Sequence, residues 1–198
     1  MKQILILLLL FFPSNKVFTQ NHIEFMGIPL GKKLHSFVFC LKQKGFKDNE
    51  FENSLWSGMR KDGYASNLYS MKGKFLGVNN QGINIYFTDD KTVKGVNILY
   101  HYKSWSTAIN KYSNIKSMLT QKYGKPKKCV ELFLNPIPKD DRGKVKAIQA
   151  ERGEYKSTFN VKSGRIEVSI CCLNNDGLSV VLNYEDFSVK ERKPIDDL

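Results

Sequence analysis

The sequence lacks the motifs by which many enzymes and metalloproteins are recognised. It has no phosphate-binding glycine loop, no nucleophile-elbow glycine-serine pattern and no zinc-protease motif, and its three histidines are far apart. Its four cysteines do not have the spacing of a four-ligand metal site. We therefore predict a protein that is not an enzyme and that uses no metal or cofactor. A hydrolase with an unrecognised site is the alternative, and it would need a deep pocket with titratable groups of shifted pKa.

Arginine is scarce although the chain is basic. The formal net charge is +12, but of the 31 Lys and Arg residues only five are arginines. Lysine lacks the planar fork with which arginine recognises phosphates and base edges, and the aromatic residues do not alternate with the lysines as in a base-stacking surface. We therefore expect no nucleic-acid partner. The lysines suit a solubilising surface, or attraction to an anionic glycan, a lipid headgroup or an acidic protein.

Long apolar runs are absent after the first 20 residues. Lys2 precedes an apolar run over residues 4–12, and Pro13 and polar residues follow it, which is typical of a secretory signal peptide. These nine residues rise about 14 Å as a helix, less than half of a ~30 Å hydrocarbon core, so we expect no transmembrane span. We predict cleavage near Gln20 and a secreted or periplasmic protein. A buried amino-terminal helix is the alternative.

The remaining sequence alternates helical and strand patterns, and with 41% hydrophobic residues it can fill a core. Helical spacing covers residues 31–46 and 104–123. Strand patterns follow the first helix at 64–78, 83–87 and 93–102 and the second at 128–134, 147–161, 166–173 and 178–184, with turns at 79–82, 88–91, 162–164 and 174–177. We predict an α+β fold of two helix-plus-antiparallel-sheet units, residues 21–103 and 104–187, with the helices packed on one face of the sheet.

Three segments have weaker patterns. Residues 135–146 contain two prolines and six charged residues and predict a mobile loop. Residues 188–198 predict a flexible tail. Residues 47–63 are compatible with a strand, a turn of helix or a loop, and we expect Trp56 in this segment and Trp105 in the second helix to pack at the edge of the core.

The two predicted helices can be aligned with an offset of 78 positions, which places Phe37 on Ile115 and Leu41 on Leu119. An internal duplication explains this agreement. The alternative is chance, because any two amphipathic helices can be brought into register.

Several landmarks resemble known exported proteins. They are Gly27-Ile28-Pro29-Leu30, Lys44-Gly45-Phe46, Lys74-Phe75-Leu76-Gly77 and Lys122-Tyr123-Gly124-Lys125-Pro126. In them the chain resembles a group of uncharacterised exported proteins of gut anaerobes, and its helix-plus-sheet unit is similar to the β-lactamase inhibitor protein fold and to the single-unit SmpA/OmlA outer-membrane lipoproteins. The resemblance implies a fold whose open sheet face binds other proteins. This sequence does not contain the paired disulfides in short strand connections that the inhibitor has.

The cysteines differ in their positions along the predicted strands. Cys172 lies on the apolar face of the strand at 166–173, and Cys171 lies on its polar face. Cys129 lies on the face of the strand at 128–134 that does not carry the apolar stripe. If these two strands are neighbours, Cys129 and Cys171 can form a disulfide in an oxidising compartment. The alternative is free thiols that pack as small apolar groups, above all for Cys40 in the first helix.

The sheet face opposite the helices is the predicted binding surface. Its candidate residues are the non-core positions of the alternating strands: Asn84, Tyr86, Asn97, His101, Arg165, Glu167 and Asn183, with Leu99 and Val181 beside them. We predict an exported, non-enzymatic binding or inhibitory module that engages another protein through this face. The alternatives are an envelope-associated protein that binds an anionic glycan or lipid headgroup, and an ordinary solvated sheet.

Overall fold

A computed structural model describes residues 22–61, 67–172 and 177–190. Three of the sequence predictions lie wholly or mostly outside these residues: the signal peptide, the turn at 174–177 and the flexible tail at 188–198. The described chain is an α+β protein, as the patterns predicted. Its elements are β1 (Glu24–Phe25), β2 (Ile28–Pro29), α1 (Leu34–Gln43), β3 (Lys47–Asp48), α2 (Glu50–Lys61), β4 (Leu68–Phe75), β5 (Val78–Phe87), β6 (Val93–Tyr102), α3 (Trp105–Tyr123), β7 (Lys128–Phe133), α4 (Asp141–Gln149), β8 (Gly153–Val161), β9 (Gly164–Cys171) and β10 (Leu178–Asp186).

One antiparallel sheet contains eight of the strands in the order β3-β4-β5-β6-β10-β9-β8-β7. One half of the sheet contains β3 to β6 and the other contains β7 to β10, and in each half the strands follow the chain from the edge of the sheet to its middle. The halves meet where β6 pairs with β10, with Leu178 opposite Tyr102 at one end and Glu185 opposite Gly95 at the other. The strands β1 and β2 form a separate hairpin. That hairpin closes one end of the core, because Phe25 packs against Phe75 and Tyr184 with ring centroids 5.2 and 5.4 Å apart.

One hydrophobic core joins α1, α3 and α4 to one face of this sheet. Strand side chains alternate between buried and more exposed, as in β9, where Ile166, Val168 and Ile170 are buried. The same cluster includes Phe37 and Leu41 of α1, and Ile115 and Leu119 of α3. Burial of one such side chain stabilises the fold by about 1.5–3 kcal/mol. The periodicity of residues 31–46 and 104–123 predicted these two helices correctly.

The helix α2 corrects the prediction that all helices lie on one face. Ser70 pairs with Asn84 in register, and Asn84 points away from the core face that Ile83 and Ile85 occupy. Trp56 of α2 donates its Nε1–H to Ser70 Oγ at 3.1 Å. The helix therefore flanks the open face, next to the edge of β4, and it lies in the segment whose structure the sequence left undecided.

The helix α4 corrects another prediction, because it begins within the expected loop at 135–146. Asp140 caps it, since its carboxylate accepts a hydrogen bond from Gly143 N at 2.6 Å. Ala147 and Ile148 are its buried residues, and with so few of them the segment has no visible period. The strand predicted at 147–161 accordingly begins later, at Gly153.

The turn between β4 and β5 also differs from the prediction. We expected it at residues 79–82, but Phe75 pairs with Val78 and the turn is formed by Leu76 and Gly77, whose φ angles are 44° and 79°. Two successive positive φ angles suit the right-handed twist of a tight hairpin, and glycine adopts such angles at little cost. The predicted turn at 88–91 lies between β5 and β6, as expected.

Candidate functional site

A row of polar side chains crosses the open face of the sheet. The register places Asn84 opposite Asn97, Asn97 opposite Asn183, and Asn183 opposite Glu167. Their neighbours along each strand are buried, because those face the core. The alternation of polar and apolar residues thus predicted which side chains share this face, and the register brings them side by side.

Five of the predicted site residues line one depression of about 400 Å³, which we call the Arg165 depression. These residues are Tyr86, Asn97, Arg165, Glu167 and Asn183. Val181, Gly95 and Glu185 also line it. Gly95 is paired with Tyr86 and with Glu185 on the neighbouring strands, and a Cβ built on it would lie 2.8 Å from the carbonyl oxygen of Tyr184. The depression is therefore a product of the register, which brings these side chains together.

Ion pairs fix the charged groups of the Arg165 depression. Arg165 Nη2 donates to Glu185 Oε2 at 2.8 Å, and its guanidinium lies 5.6 Å from the centre of the Phe187 ring. Glu167 pairs with Lys156 at 2.9 Å and accepts a hydrogen bond from Thr158 Oγ1 at 3.3 Å. Arg165 and Glu167 thus each have a partner of opposite charge, and Glu185 and Phe187 orient the guanidinium.

Two polar atoms of the Arg165 depression are buried without a hydrogen-bond partner among the described residues. They are Asn97 Oδ1, an acceptor, and Arg165 Nε, a donor. A buried polar group without a partner costs about 1–3 kcal/mol. Burial also raises the pKa of Tyr86, which keeps its phenol neutral near pH 7. The depression thus offers an acceptor, a donor and a partly buried aromatic ring to a bound group.

The other two predicted residues, Asn84 and His101, line a second depression of about 590 Å³. We call it the Trp56 depression, since Trp56 and Glu52 of α2 form one side of it, while Gly82 and Leu99 belong to the strands beneath. Trp56 was expected at the edge of the core, and the structure instead places it on the open face. No pattern in the sequence indicated this position, because the segment that contains Trp56 has no clear period.

His101 makes one hydrogen bond within the described part of the chain. Its Nδ1 lies 3.0 Å from Ser179 Oγ, and Ser179 is 3% exposed. In residues 22–61, 67–172 and 177–190 no carboxylate is hydrogen-bonded to His101, so this pair has no orienting third group of the kind a triad contains.

The same residues contain no group of three or more His, Cys, Asp or Glu side chains that could hold a metal ion.

The cysteines are all free thiols in the structure, and the predicted pair, Cys129 and Cys171, is not bonded. The prediction required neighbouring strands, but β8 lies between β7 and β9. The two side chains also face opposite sides of the sheet. Cys129 Sγ lies 3.2 Å from Lys116 of α3, whereas Cys171 pairs with Ser179 on the open face.

The edge strand β7 is attached to α3 by a cluster of polar side chains. Lys116 donates to Glu131 Oε1 at 2.6 Å, and Tyr112 donates to the same atom at 2.9 Å. Burial favours a higher pKa for Glu131, but the hydrogen bonds from Lys116 and Tyr112 outweigh it and lower the pKa. Burial raises the pKa of Tyr112, and the carboxylate of Glu131 adds to this. The cluster is thus arranged as a structural link.

A third depression, of about 420 Å³, lies near the turn between β4 and β5. Lys47, Lys72 and Lys74 line it, together with Asp48, Asn79 and Asn80. Asp48 pairs with Lys42 at 2.6 Å, whereas none of the three lysines has a carboxylate within 4.0 Å in the described residues. This local excess of positive charge makes the third depression a candidate anion site.

Comparison of the chain with protein-family models, with curated proteins and with solved structures finds no match. In the part of the chain that the structure describes, no helix has the length and hydrophobicity that a membrane crossing needs.

Proposed function

We propose that this protein is an exported, non-enzymatic binding or inhibitory module that engages another protein through the open face of its sheet. The observation that carries the proposal is the pair of buried atoms without partners, Asn97 Oδ1 and Arg165 Nε, in the Arg165 depression. A peptide group or a polar side chain of a partner supplies both a donor and an acceptor, and it would remove the cost of leaving these atoms unpaired.

The sequence supports the export and the architecture in this proposal. The apolar run after Lys2 is typical of a signal peptide, so we place the protein in the periplasm or outside the cell. We also propose that the chain is a tandem repeat related to the β-lactamase inhibitor protein fold. In its support, the order of helix, short strand, helix and three strands occurs twice.

A comparative capture experiment tests the proposed function. The protein is immobilised and exposed to the periplasmic and secreted proteins of its source, and bound proteins are identified by mass spectrometry. We expect a specific partner whose binding falls at least tenfold in Tyr86→Ala and in Arg165→Ala, because each change removes a contact in the Arg165 depression.

The matched controls are Phe39→Ala and Arg142→Ala. Phe39 is 62% exposed on α1, and Arg142 is exposed on α4, so these changes remove the same kinds of side chain from other surfaces. If all four variants capture the partner as well as the unchanged protein does, the open face is not the binding surface and the proposal is wrong.

A second candidate function is binding of an anionic glycan or lipid headgroup. The third depression favours it, because Lys47, Lys72 and Lys74 have no acidic partner there in the described residues. Exposed charges are screened over about 10 Å at 0.1 M salt. Binding to vesicles that contain phosphatidylglycerol would therefore weaken steeply between 50 and 500 mM salt, and it would be lost when the three lysines are replaced by glutamine. Unchanged binding at high salt would exclude this candidate.

A further inference from the structure

The Trp56 depression has a fixed aromatic ring on one side and an open strand surface beneath. The Trp56 ring is oriented by the hydrogen bond from Nε1 to Ser70 Oγ, which in turn donates to Asn84 Oδ1 at 2.5 Å. The indole N–H is therefore already satisfied, and the ring offers apolar surface. The volume of about 590 Å³ lies within the range of ligand sites, roughly 300–1,000 Å³.

The space in this depression depends on Gly82. A Cβ built on Gly82 has no heavy atom within 4 Å, so the region above this position is empty. Gly82 is paired with Lys72 of β4, whose long side chain lies at the border of the depression. A glycine in the middle of a strand weakens it and often marks the close approach of another molecule.

Planar polar groups surround this space. Asn84 Nδ2, His101 Nε2 and the Glu52 carboxylate line it without a hydrogen bond to the residues that the structure describes. An apolar side chain placed there would leave these groups buried and unpaired, which disfavours an apolar occupant. A ligand with several hydroxyl groups would satisfy them, because a hydroxyl both donates and accepts.

The charges of the depression do not select an anion. Glu52 and Lys72 carry opposite charges at its border, which distinguishes it from the third depression with its three lysines. The ligand that fits is therefore neutral, has an apolar face for the Trp56 ring and bears hydroxyl groups on its edges. A sugar ring combines these properties.

We propose that the Trp56 depression is a binding site for a neutral saccharide. Its apolar C–H face packs on Trp56 above Gly82, and its hydroxyls bond to Asn84, His101 and Glu52. The site is separate from the Arg165 depression, so this inference and the proposed function stand or fall independently.

The test begins with an array of neutral oligosaccharides that carry terminal glucose, mannose, galactose, xylose or N-acetylhexosamine. The full protein is then titrated with the trisaccharide of the sugar that gives the strongest signal, while acrylamide quenching of tryptophan fluorescence is measured. Trp105 is 5% exposed and is poorly accessible to acrylamide, so the quenched signal reports Trp56. We expect bound saccharide to protect Trp56 from quenching.

Two variants locate the site. Gly82→Val adds a side chain in the depression at a position where a Cβ meets no heavy atom within 4 Å, and we expect at least a tenfold loss of affinity with unchanged circular dichroism. His101→Ala removes one exposed polar group, and we expect about a fivefold loss. Ser169→Val is the matched control, since it also introduces valine on the open face but outside the depression, and it should change the affinity less than twofold.

Three results would overturn the inference. The first is an array on which no neutral oligosaccharide exceeds the background. The second is a saccharide that binds Gly82→Val as tightly as the unchanged protein. The third is protection of Trp56 by peptides with aromatic side chains and by no saccharide, which would assign the depression to a protein partner.

Discussion

Asp186 is a buried carboxylate with several hydrogen-bond partners. It is 2% exposed, and it accepts from Ile23 N at 3.1 Å, from Ser188 N at 2.9 Å and from Ser188 Oγ. Its Oδ2 also lies 3.0 Å from His22 Nδ1. This one side chain therefore connects the first described residues to the end of β10.

We predict that Asp186→Ala lowers the free energy of unfolding by about 1–3 kcal/mol, because it leaves the buried N–H of Ile23 without an acceptor and removes the bonds from Ser188 and His22. Urea denaturation followed by circular dichroism measures the change. Glu154→Ala is the control, since Glu154 is exposed and its removal should change stability by less than about 0.5 kcal/mol. Equal effects of both variants would show that the buried carboxylate contributes little.

A second prediction at this scale compares two glycines on neighbouring strands. A Cβ on Gly73 would lie 2.5 Å from Cγ of the buried Phe46, whereas one on Gly82 meets nothing within 4 Å. Gly73→Ala should therefore destabilise the protein by about 1–3 kcal/mol through overpacking, while Gly82→Ala should be neutral or slightly stabilising. Thermal melts of both variants measure this, and a Gly73→Ala melt like that of the unchanged protein would contradict the packing around Phe46.

At the scale of elements, the sequence predicted those that bury a regular stripe of side chains. The helices α1 and α3 and the strands β5, β6, β9 and β10 were found because their buried residues recur with the helical or the strand period. Such patterns are absent where an element has few buried residues. That is why α4, with Ala147 and Ile148 as its buried residues, was mistaken for a loop.

The same reasoning explains what was predicted of the site. Alternation placed Tyr86, Asn97, Arg165, Glu167 and Asn183 on one face, and the structure brings them into one depression. The Trp56 depression was missed because one side of it belongs to α2, whose apolar residues Phe51 and Leu55 are exposed, at 74% and 51%. A helix that turns such residues to solvent contradicts the rule by which helix faces are read from sequence.

The cap of α4 gives a prediction for this element. Asp140 Oδ1 accepts from Gly143 N, so Asp140→Ala should lower the free energy of unfolding by about 1 kcal/mol. Asp140→Ser preserves a capping oxygen and should retain most of that stability. Denaturant titration measures both variants, and an unchanged midpoint for Asp140→Ala would show that the cap does not hold the helix.

The whole molecule contains tyrosines that resist ionisation. Burial and the nearby carboxylate of Asp48 raise the pKa of Tyr69 to about 12, and burial also raises the pKa of Tyr100, Tyr112 and Tyr184. In the unfolded chain tyrosine ionises near pH 10. Because the folded state holds these protons more tightly, their contribution to stability is complete below pH 10 and is lost as the pH rises towards the folded values.

We therefore predict that the free energy of unfolding falls steadily above pH 10, and that Tyr69→Phe reduces the part of the fall between pH 10 and 12. Denaturant titrations at several pH values measure it, with absorbance at 295 nm to follow phenolate formation. A free energy that stays constant from pH 9 to 12 would contradict the raised pKa values.

The contact between His22 and Ser188, whose Nδ1 and Oγ atoms lie 3.1 Å apart, brings together the first and nearly the last described residues. The described backbone therefore begins and ends close together in space. A short linker can join these two ends, and a new start can be opened at the exposed residues 89–91 of the turn between β5 and β6. The fold would then survive with its ends elsewhere, and a label or surface tether attached there would leave from a different side of the molecule.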